Sequence, residues 1–441
     1  MSLTPPPKVQ KLRTTLHAKA KGSPDYRFYR LYDKVYRRDI LEFAYLRCRS
    51  NDGAPGVDGR TFEDIEAYGR DRWLDELTTE RKGRTYRPDP VRRGLIPKPD
   101  GKRRPLGIGT IRDRVVQMAV VLVLEPIFEA DLPPEQHAYR PDHSALDAVR
   151  QVHGSVNTGH TEVVDADLSG YFDSIPHAEL MRSLSRRISD RHLSGLIKLW
   201  LVAPVEGTDE RGRRRRTTRN KDERRGSPQG SPLSPLLANI YMRRVIVGWK
   251  VPGHEQRLDA PIVNYADDFV ICCRGTADEA MTAMRGMMSR LRLTVDETKT
   301  RLCRVPEETF DFPGYTIGRC WSPQTGRPYI GTKPSAKEIA RLKREISDLT
   351  SPRWYWTGVE DRVARLNRIL RGWSTYFCLG PVGPAYRAID GHARYRLRQW
   401  LCGKHELKGG GTTRFPAESL HDVLGLIRLS DLPKTFPWAK A

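Results

Sequence analysis

Two adjacent acids, Asp267 and Asp268, follow Tyr265-Ala266 and lie between the apolar runs Ile262-Val263 and Phe269-Val270-Ile271. β-branched and aromatic residues flanking so short a polar stretch read as a β-hairpin with both carboxylates at its tip. Asp tolerates turn geometry and keeps its oxygens free there. Mg²⁺ takes carboxylate oxygens together with substrate phosphates, so the pair suits phosphoryl chemistry better than proton transfer. A second acidic segment, Glu162 to Asp173, begins with the alternation of a strand, which puts Asp165 and Asp167 on one face. Beyond Ser174-Ile175-Pro176-His177, Leu180, Leu184 and Ile188 recur at helical spacing, so this strand feeds a helix. Asp167 and Asp267 are 100 residues apart and can meet only if their strands are neighbours in one sheet. Acids on adjacent strands could then hold two Mg²⁺ ions, one activating an attacking 3′-hydroxyl and one neutralising a triphosphate.

These segments stand in a longer ordered series. It runs from Pro55-Gly56-Val57-Asp58-Gly59 through Leu95 to Ile108 and His137-Ala138-Tyr139-Arg140-Pro141. The Asp167 strand follows, then Ser227 to Tyr241, the Tyr265 to Asp268 hairpin, and Asp296-Glu297-Thr298-Lys299-Thr300. In order and wording the seven blocks resemble the group II intron reverse transcriptases and maturases over roughly residues 25 to 400. The resemblance implies that Asp167, Asp267 and Asp268 are the catalytic acids, with the Leu168 carbonyl as a further metal ligand, two Mg²⁺ ions bound and Mn²⁺ a possible substitute. It favours Asp167 over Asp165, because the family's acid is followed by an apolar residue and, five positions on, by an aromatic, here Phe172. It implies further that Phe172 packs beneath the sugar and excludes a 2′-hydroxyl. Lys98 and Arg104 would cover the triphosphate, the first as a point charge and the second as a bidentate clamp. Gln229 would line the nucleotide and template pocket, and Lys299 would sit near the leaving pyrophosphate as a general acid.

The implied fold is α+β: a right-hand polymerase whose fingers and palm combine an antiparallel sheet with helices, followed by an α-helical thumb or maturase domain. Breaks in the pattern divide the chain into a basic extension over residues 1–30, fingers over 31–160, palm over 161–316, and thumb with a C-terminal tail over 317–441. The extension reads as a helix-forming arm that orders on RNA, or as a disordered tail. Met281, Met284, Met288 and Leu291 form a stripe that packs on the palm sheet. The run Arg211 to Arg216, with Arg219, Lys221, Arg224 and Arg225 beyond it, reads as a mobile charged loop, longer than the family's usual connector.

In the last third, Ile339, Leu342, Ile346 and Leu349 form one amphipathic stripe, and Val363, Leu366, Ile369, Leu370 and Trp373 another. Arg341 and Arg344 lie on the outer face of the first. Basic and aromatic residues then alternate through Trp373, Tyr376, Arg394, Arg396 and Arg398, a pattern suited to RNA backbone and unstacked bases, while Trp373 equally suits a helical core. The resemblance extends to the RNA-binding maturase domain over Gly372 to Phe377. After it there is no Cys-pair and His pattern of the HNH endonuclease that some relatives carry.

Composition agrees with a nucleic-acid partner. Lys and Arg number 76 against 54 Asp and Glu, a formal charge of +22. Seven cysteines without a C-x-x-C pair argue for reduced thiols in a cytoplasmic protein and against a zinc site. The basic, polar N-terminal segment is no signal peptide, and the run Val115 to Leu124, interrupted by Gln117, is a buried helix too short to span a bilayer. The expected partners are an RNA template (group II intron RNA by resemblance), a DNA primer or target, and deoxynucleoside triphosphates, with no membrane; the protein would act as a monomer or homodimer. Three further readings share much of this sequence. They are a free-standing relative recruited for DNA repair or defence, a splicing cofactor with a dead polymerase, and an RNA-dependent RNA polymerase. The intact acids argue against the second and Phe172 against the third.

Overall fold

The computed structural model describes residues 3–83, 85–97, 103–208, 213–322 and 324–432. It mixes helix and sheet as an α+β polymerase fold requires. The strands among the described residues are β1 (Val91–Pro97), β2 (Arg103–Ile108), β3 (Glu162–Asp167), β4 (Val205–Thr208), β5 (Arg214–Thr217) and β6 (Ile262–Tyr265). They continue with β7 (Asp268–Cys273), β8 (Arg301–Arg304), β9 (Phe310–Phe312), β10 (Tyr315–Trp321) and β11 (Pro328–Pro334). They form three sheets, in the orders β2-β1-β4-β5, β6-β7-β3-β8 and β11-β10-β9. No helix among the described residues is long and apolar enough to cross a membrane.

The chain separates into two compact units. The first comprises Met1–Ser144, Ala166–Phe269 and Asp278–Thr300. Its centre is the helix Ile111–Glu129, which starts where Thr110 Oγ1 accepts a hydrogen bond from Asp113 N–H and is buried along most of its length. Pro126 inside this helix has no N–H to give Leu122. The helix Pro7–Gly22 makes good the loss: Arg13 donates to the Leu122 carbonyl at 3.3 Å and pairs with Glu125 at 2.5 Å. The basic extension is therefore a packed helix, with Val9, Leu16 and Ala20 buried. So narrow a seam in so polar a segment is invisible to a periodicity reading.

The charged run expected to be a mobile loop is in part a strand. β5 pairs antiparallel with β4 from Val205↔Thr217 to Thr208↔Arg214, and β4 lies parallel to β1. Residues 211 and 212 of that run lie outside the described residues. The methionine stripe is buried as expected, joined by Met287.

The second unit comprises Ala145–Asp165, Val270–Ala277 and Arg301–Ala441. Its helices Ala336–Leu349, Val359–Tyr376 and Gly383–Lys404 close around Leu342, Ile346, Leu366, Leu370, Ile389 and Leu397. Tyr315 ties β10 to this bundle: its hydroxyl accepts from Cys378 N–H at 3.0 Å and donates to the Tyr376 carbonyl at 2.5 Å. The expected division at 316/317 falls inside β10, which is hydrogen-bonded to both β9 and β11, so sheet precedes helix after that point.

Candidate active site

The apolar strands β6 and β7 are joined at Ala266, whose φ of 59° turns the chain. Sequence reasoning passed over the residue that props this turn. Buried Asn264 donates from Nδ2 to the carbonyls of Ala266 at 2.9 Å and Asp268 at 3.0 Å. Its backbone is gripped in turn, since Asn264 N–H donates to Glu135 O and its carbonyl accepts from His137 N–H. The hairpin thus presents a half-buried Asp267 and an exposed Asp268. β7 is the sheet neighbour of β3, whose last residue is Asp167. The Asp267 charge also reaches the Tyr171 hydroxyl, which burial above all, then Tyr241 and Asp267, pushes well above its ordinary pKa.

The segment 294–300 is strapped alongside Asp167. Ser169 N–H donates to Thr294 O and Asp296 N–H to Asp167 O, both at 2.9 Å, which leaves the Leu168 carbonyl outside this bridge. Lys299 ion-pairs with Asp167 and, at 3.4 Å, with Asp296; the hydrogen bond to Asp167 leads in raising its pKa. Asp296 itself is held below its usual value first by the Thr298 hydroxyl, 2.6 Å from it. The two acids on the β3 face differ in partner, for Asp165 pairs with Arg301 at 3.5 Å. Among the described residues no three Asp, Glu, His or Cys side chains gather into a cage for a metal ion. Aspartate oxygens on neighbouring strand ends nevertheless fit Mg²⁺, which keeps its waters and takes substrate phosphates instead of demanding an all-protein cage.

A cleft of about 470 Å³ has Phe172, Tyr139 and Gln229 among its lining residues. Phe172 is half-buried and set edge-on to Tyr139, with centroids 6.4 Å apart. Gln229 is fixed through its backbone, its carbonyl accepting from Gly107 N–H at 2.6 Å. This close approach needs glycine on both sides: Gly230 has φ +101°, and a Cβ there would lie 2.8 Å from the Gly107 carbonyl. Arg104 lies in β2 opposite Ile96 of β1, and Lys98 lies outside the described residues. Gln229 also borders a second cavity, of about 580 Å³, with Arg93, Arg215, Arg216 and Arg219 around it. Beneath the loop is a buried group that sequence reasoning missed, Asp113. Tyr86 O–H donates to it at 2.5 Å and Asp89 N–H at 3.0 Å, and burial pushes its pKa up to about 6.

The second unit sorts the expected RNA-binding residues by their partners. Trp373 is buried, 4.6 Å between centroids from Phe377. The Tyr376 hydroxyl donates to the Pro313 carbonyl. Arg396 donates to Thr350 Oγ1 and to the Ser347 and Thr350 carbonyls at the end of the helix Ala336–Leu349, and Arg398 donates to the Phe415 carbonyl. Each of those four has a partner within the unit. Arg341 is exposed and paired with Glu338, Arg344 is exposed, and Arg394 is half-buried. Trp356, absent from the sequence reading, is 77% exposed beside Trp354, which lies 4.7 Å from the buried guanidinium of Arg362. Its signal was available in Arg353-Trp354-Tyr355-Trp356.

Acids carried by neighbouring strands of one sheet, together with a basic hairpin and an aromatic-lined cleft in the same unit, are the working parts of a nucleic-acid polymerase. Comparison with known proteins narrows that class. Residues 96–317, half of the chain, match the family "Reverse transcriptase (RNA-dependent DNA polymerase)", and residues 339–415 match "Group II intron, maturase-specific domain". The protein YkfC of Escherichia coli (strain K12) is 32% identical over 371 residues, covering 75% of this chain and 93% of that one. The group II intron-encoded protein LtrA of Lactococcus lactis subsp. cremoris is 35% identical over 222 residues, or 49% of this chain and 35% of LtrA. An uncharacterised 91 kDa protein in the cob intron of Schizosaccharomyces pombe is 26% identical over 417 residues, 78% of this chain and 50% of that one. The chain belongs to the group II intron reverse transcriptase family and is an RNA-directed DNA polymerase. It spans nearly all of YkfC and about a third of LtrA.

Proposed function

We propose that this polymerase extends a DNA primer on an RNA template by two-metal nucleotidyl transfer, with Asp167, Asp267 and Asp268 as its catalytic acids, and that it binds group II intron RNA to assist splicing and retrohoming. The observation that carries the reading is that β7, which opens on Asp268 just after Asp267, is the sheet neighbour of β3, which ends on Asp167. Divalent ions held there supply charge neutralisation and activation of the primer hydroxyl. The protein's part is positional. Asn264 fixes the turn that carries two acids, and the 294–300 strap fixes the third. Phe172 and Tyr139 bound the sugar side of the cleft, so a 2′-hydroxyl meets a ring edge. Lys299, protonated beside Asp167, is set to give its proton to the leaving pyrophosphate, while Lys98 and Arg104 neutralise the triphosphate.

The intron-RNA reading is supported by the maturase-specific match over residues 339–415 and by the intron-encoded relatives. The deciding experiment is primer extension on an RNA template with deoxynucleotides and Mg²⁺, wild type against the Asp267→Ala, Asp268→Ala double variant. Extension should vanish in the variant. Equal extension by both would refute the assignment of the acids, and no extension by either, with tight RNA binding kept, would favour a splicing cofactor.

A further inference from the structure

A pocket of about 200 Å³ in the first unit shares no lining residue with the cleft at Gln229. Arg182, Arg186 and Arg187 reach it from the helix His177–Ser185 and the residues just after, and Arg243 and Arg244 from the helix Ser234–Lys250. Two carboxylates answer these five guanidinium groups. Asp131 lies 3.3 Å from Arg187 Nε, and Glu179 takes both Arg182 and Arg244 at 2.9 Å. Three positive charges are left over. Arg187 is otherwise committed, donating to the Ala20 and Ser23 carbonyls at the end of the helix Pro7–Gly22. Arg243 donates from Nε to the Asp131 carbonyl at 2.8 Å, and Arg186, whose charge reaches Asp131, makes no hydrogen bond or ion pair within 4 Å among the described residues. Burial first, and then the nearby Arg186 charge, holds the Arg243 guanidinium below its ordinary pKa.

We propose that this arginine pocket binds one phosphate of an RNA backbone, as a contact separate from the active cleft. Guanidinium forks match phosphate oxygens in geometry and charge. The pocket is smaller than the roughly 300–1,000 Å³ that enclose small-molecule ligands and has room for a phosphate group. A backbone phosphate also suits a chain of charge +22 whose activity requires an RNA template. The inference concerns binding alone and stands or falls independently of the catalytic acids.

The test is the affinity of the full-length protein for a 5′-labelled RNA oligonucleotide across a salt series, with wild type, Arg186→Ala/Arg243→Ala and Arg186→Lys/Arg243→Lys compared. Losing one phosphate contact should weaken binding about tenfold at low salt. It should also reduce the magnitude of the log affinity against log salt slope by roughly 0.7–0.9, while the lysine pair keeps the slope. Arg186→Gln alone, at an exposed side chain, supplies the same comparison should the double alanine variant fail to fold. An unchanged affinity and slope would overturn the proposal. So would a wild type that inorganic phosphate stabilises against heat, beside an alanine variant that it does not, with RNA binding equal in both; the pocket would then take the free anion.

Discussion

Replacing Asp113 by Asn should remove a specific pH dependence from the stability of the first unit. The carboxyl is 2% exposed, accepts from Tyr86 O–H and Asp89 N–H, and lies 4.0 Å from Arg112, yet burial outweighs these partners and raises its pKa from 3.8 to about 6. A folded-state pKa above the unfolded one means that the native state holds the proton more tightly. Asp113 therefore contributes its full stability below its unfolded pKa of 3.8 and loses it as pH rises through about 6; from about pH 7 the term is flat. The difference from 3.8 to about 6 corresponds to a loss of about 3 kcal/mol across the window. Urea unfolding of wild type and the Asp113→Asn variant, followed at half-unit steps from pH 4 to pH 7.5, isolates this group because the other titrations cancel in the difference. Wild type should lose ground to the variant by about 2 kcal/mol between pH 4 and pH 6 and by a few tenths more up to about pH 7, then run parallel to it. Parallel curves through the whole range would refute the argument from burial. A difference that grows above about pH 7 would point to another group.

Five substitutions test other parts of the structure. Phe172→Val should open the sugar side of the cleft, so that incorporation of ribonucleotides rises relative to deoxynucleotides in single-nucleotide extension; unchanged discrimination sinks the role of the ring. Gly230→Ala puts a Cβ at φ +101°, 2.8 Å from the Gly107 carbonyl, and should cost about 2–4 kcal/mol in unfolding while raising KM for deoxynucleotides through Gln229. Gly154→Ala, in a helix with nothing within 4 Å, is the control and should be neutral or stabilising. Trp373→Ala should destabilise the second unit by about 3–5 kcal/mol, whereas Arg344→Ala should stay within about 0.5 kcal/mol of wild type and flatten the salt dependence of RNA binding.

The acid-tipped hairpin was legible because its signal is local. Ile262-Val263 and Phe269-Val270-Ile271 form strands by their own preference, and two Asp between them have nowhere to go but the turn. The strand before Asp167 and the helix after Pro176 were legible for the same reason. What escaped was non-local. Asn264 looks like one more polar residue in a strand until its side chain is seen to bridge the turn, and Asp113 looks like a first-turn helix acid until Tyr86, 27 residues away, is seen to donate to it. The basic run at Arg214 becomes strand because β4 offers an edge, and arginine is no obstacle on an exposed outer strand.

The arginines of the second unit show the limit from the other side. An arginine stripe beside aromatics reads as an RNA surface because the sequence shows charge but not the carbonyls waiting for it. Helix ends leave acceptors that no backbone donor reaches, and Arg396 fills that role at Ser347 and Thr350, while Arg398 takes the carbonyl of Phe415 in a bend. A guanidinium used in this way keeps its charge but has fewer free donors to offer phosphate. Arg341, Arg344 and Arg394, without such carbonyl duties, remain the basic positions of this set from which a backbone contact can be built, and the exposed ring of Trp356 adds a stacking face that the same unit presents to solvent.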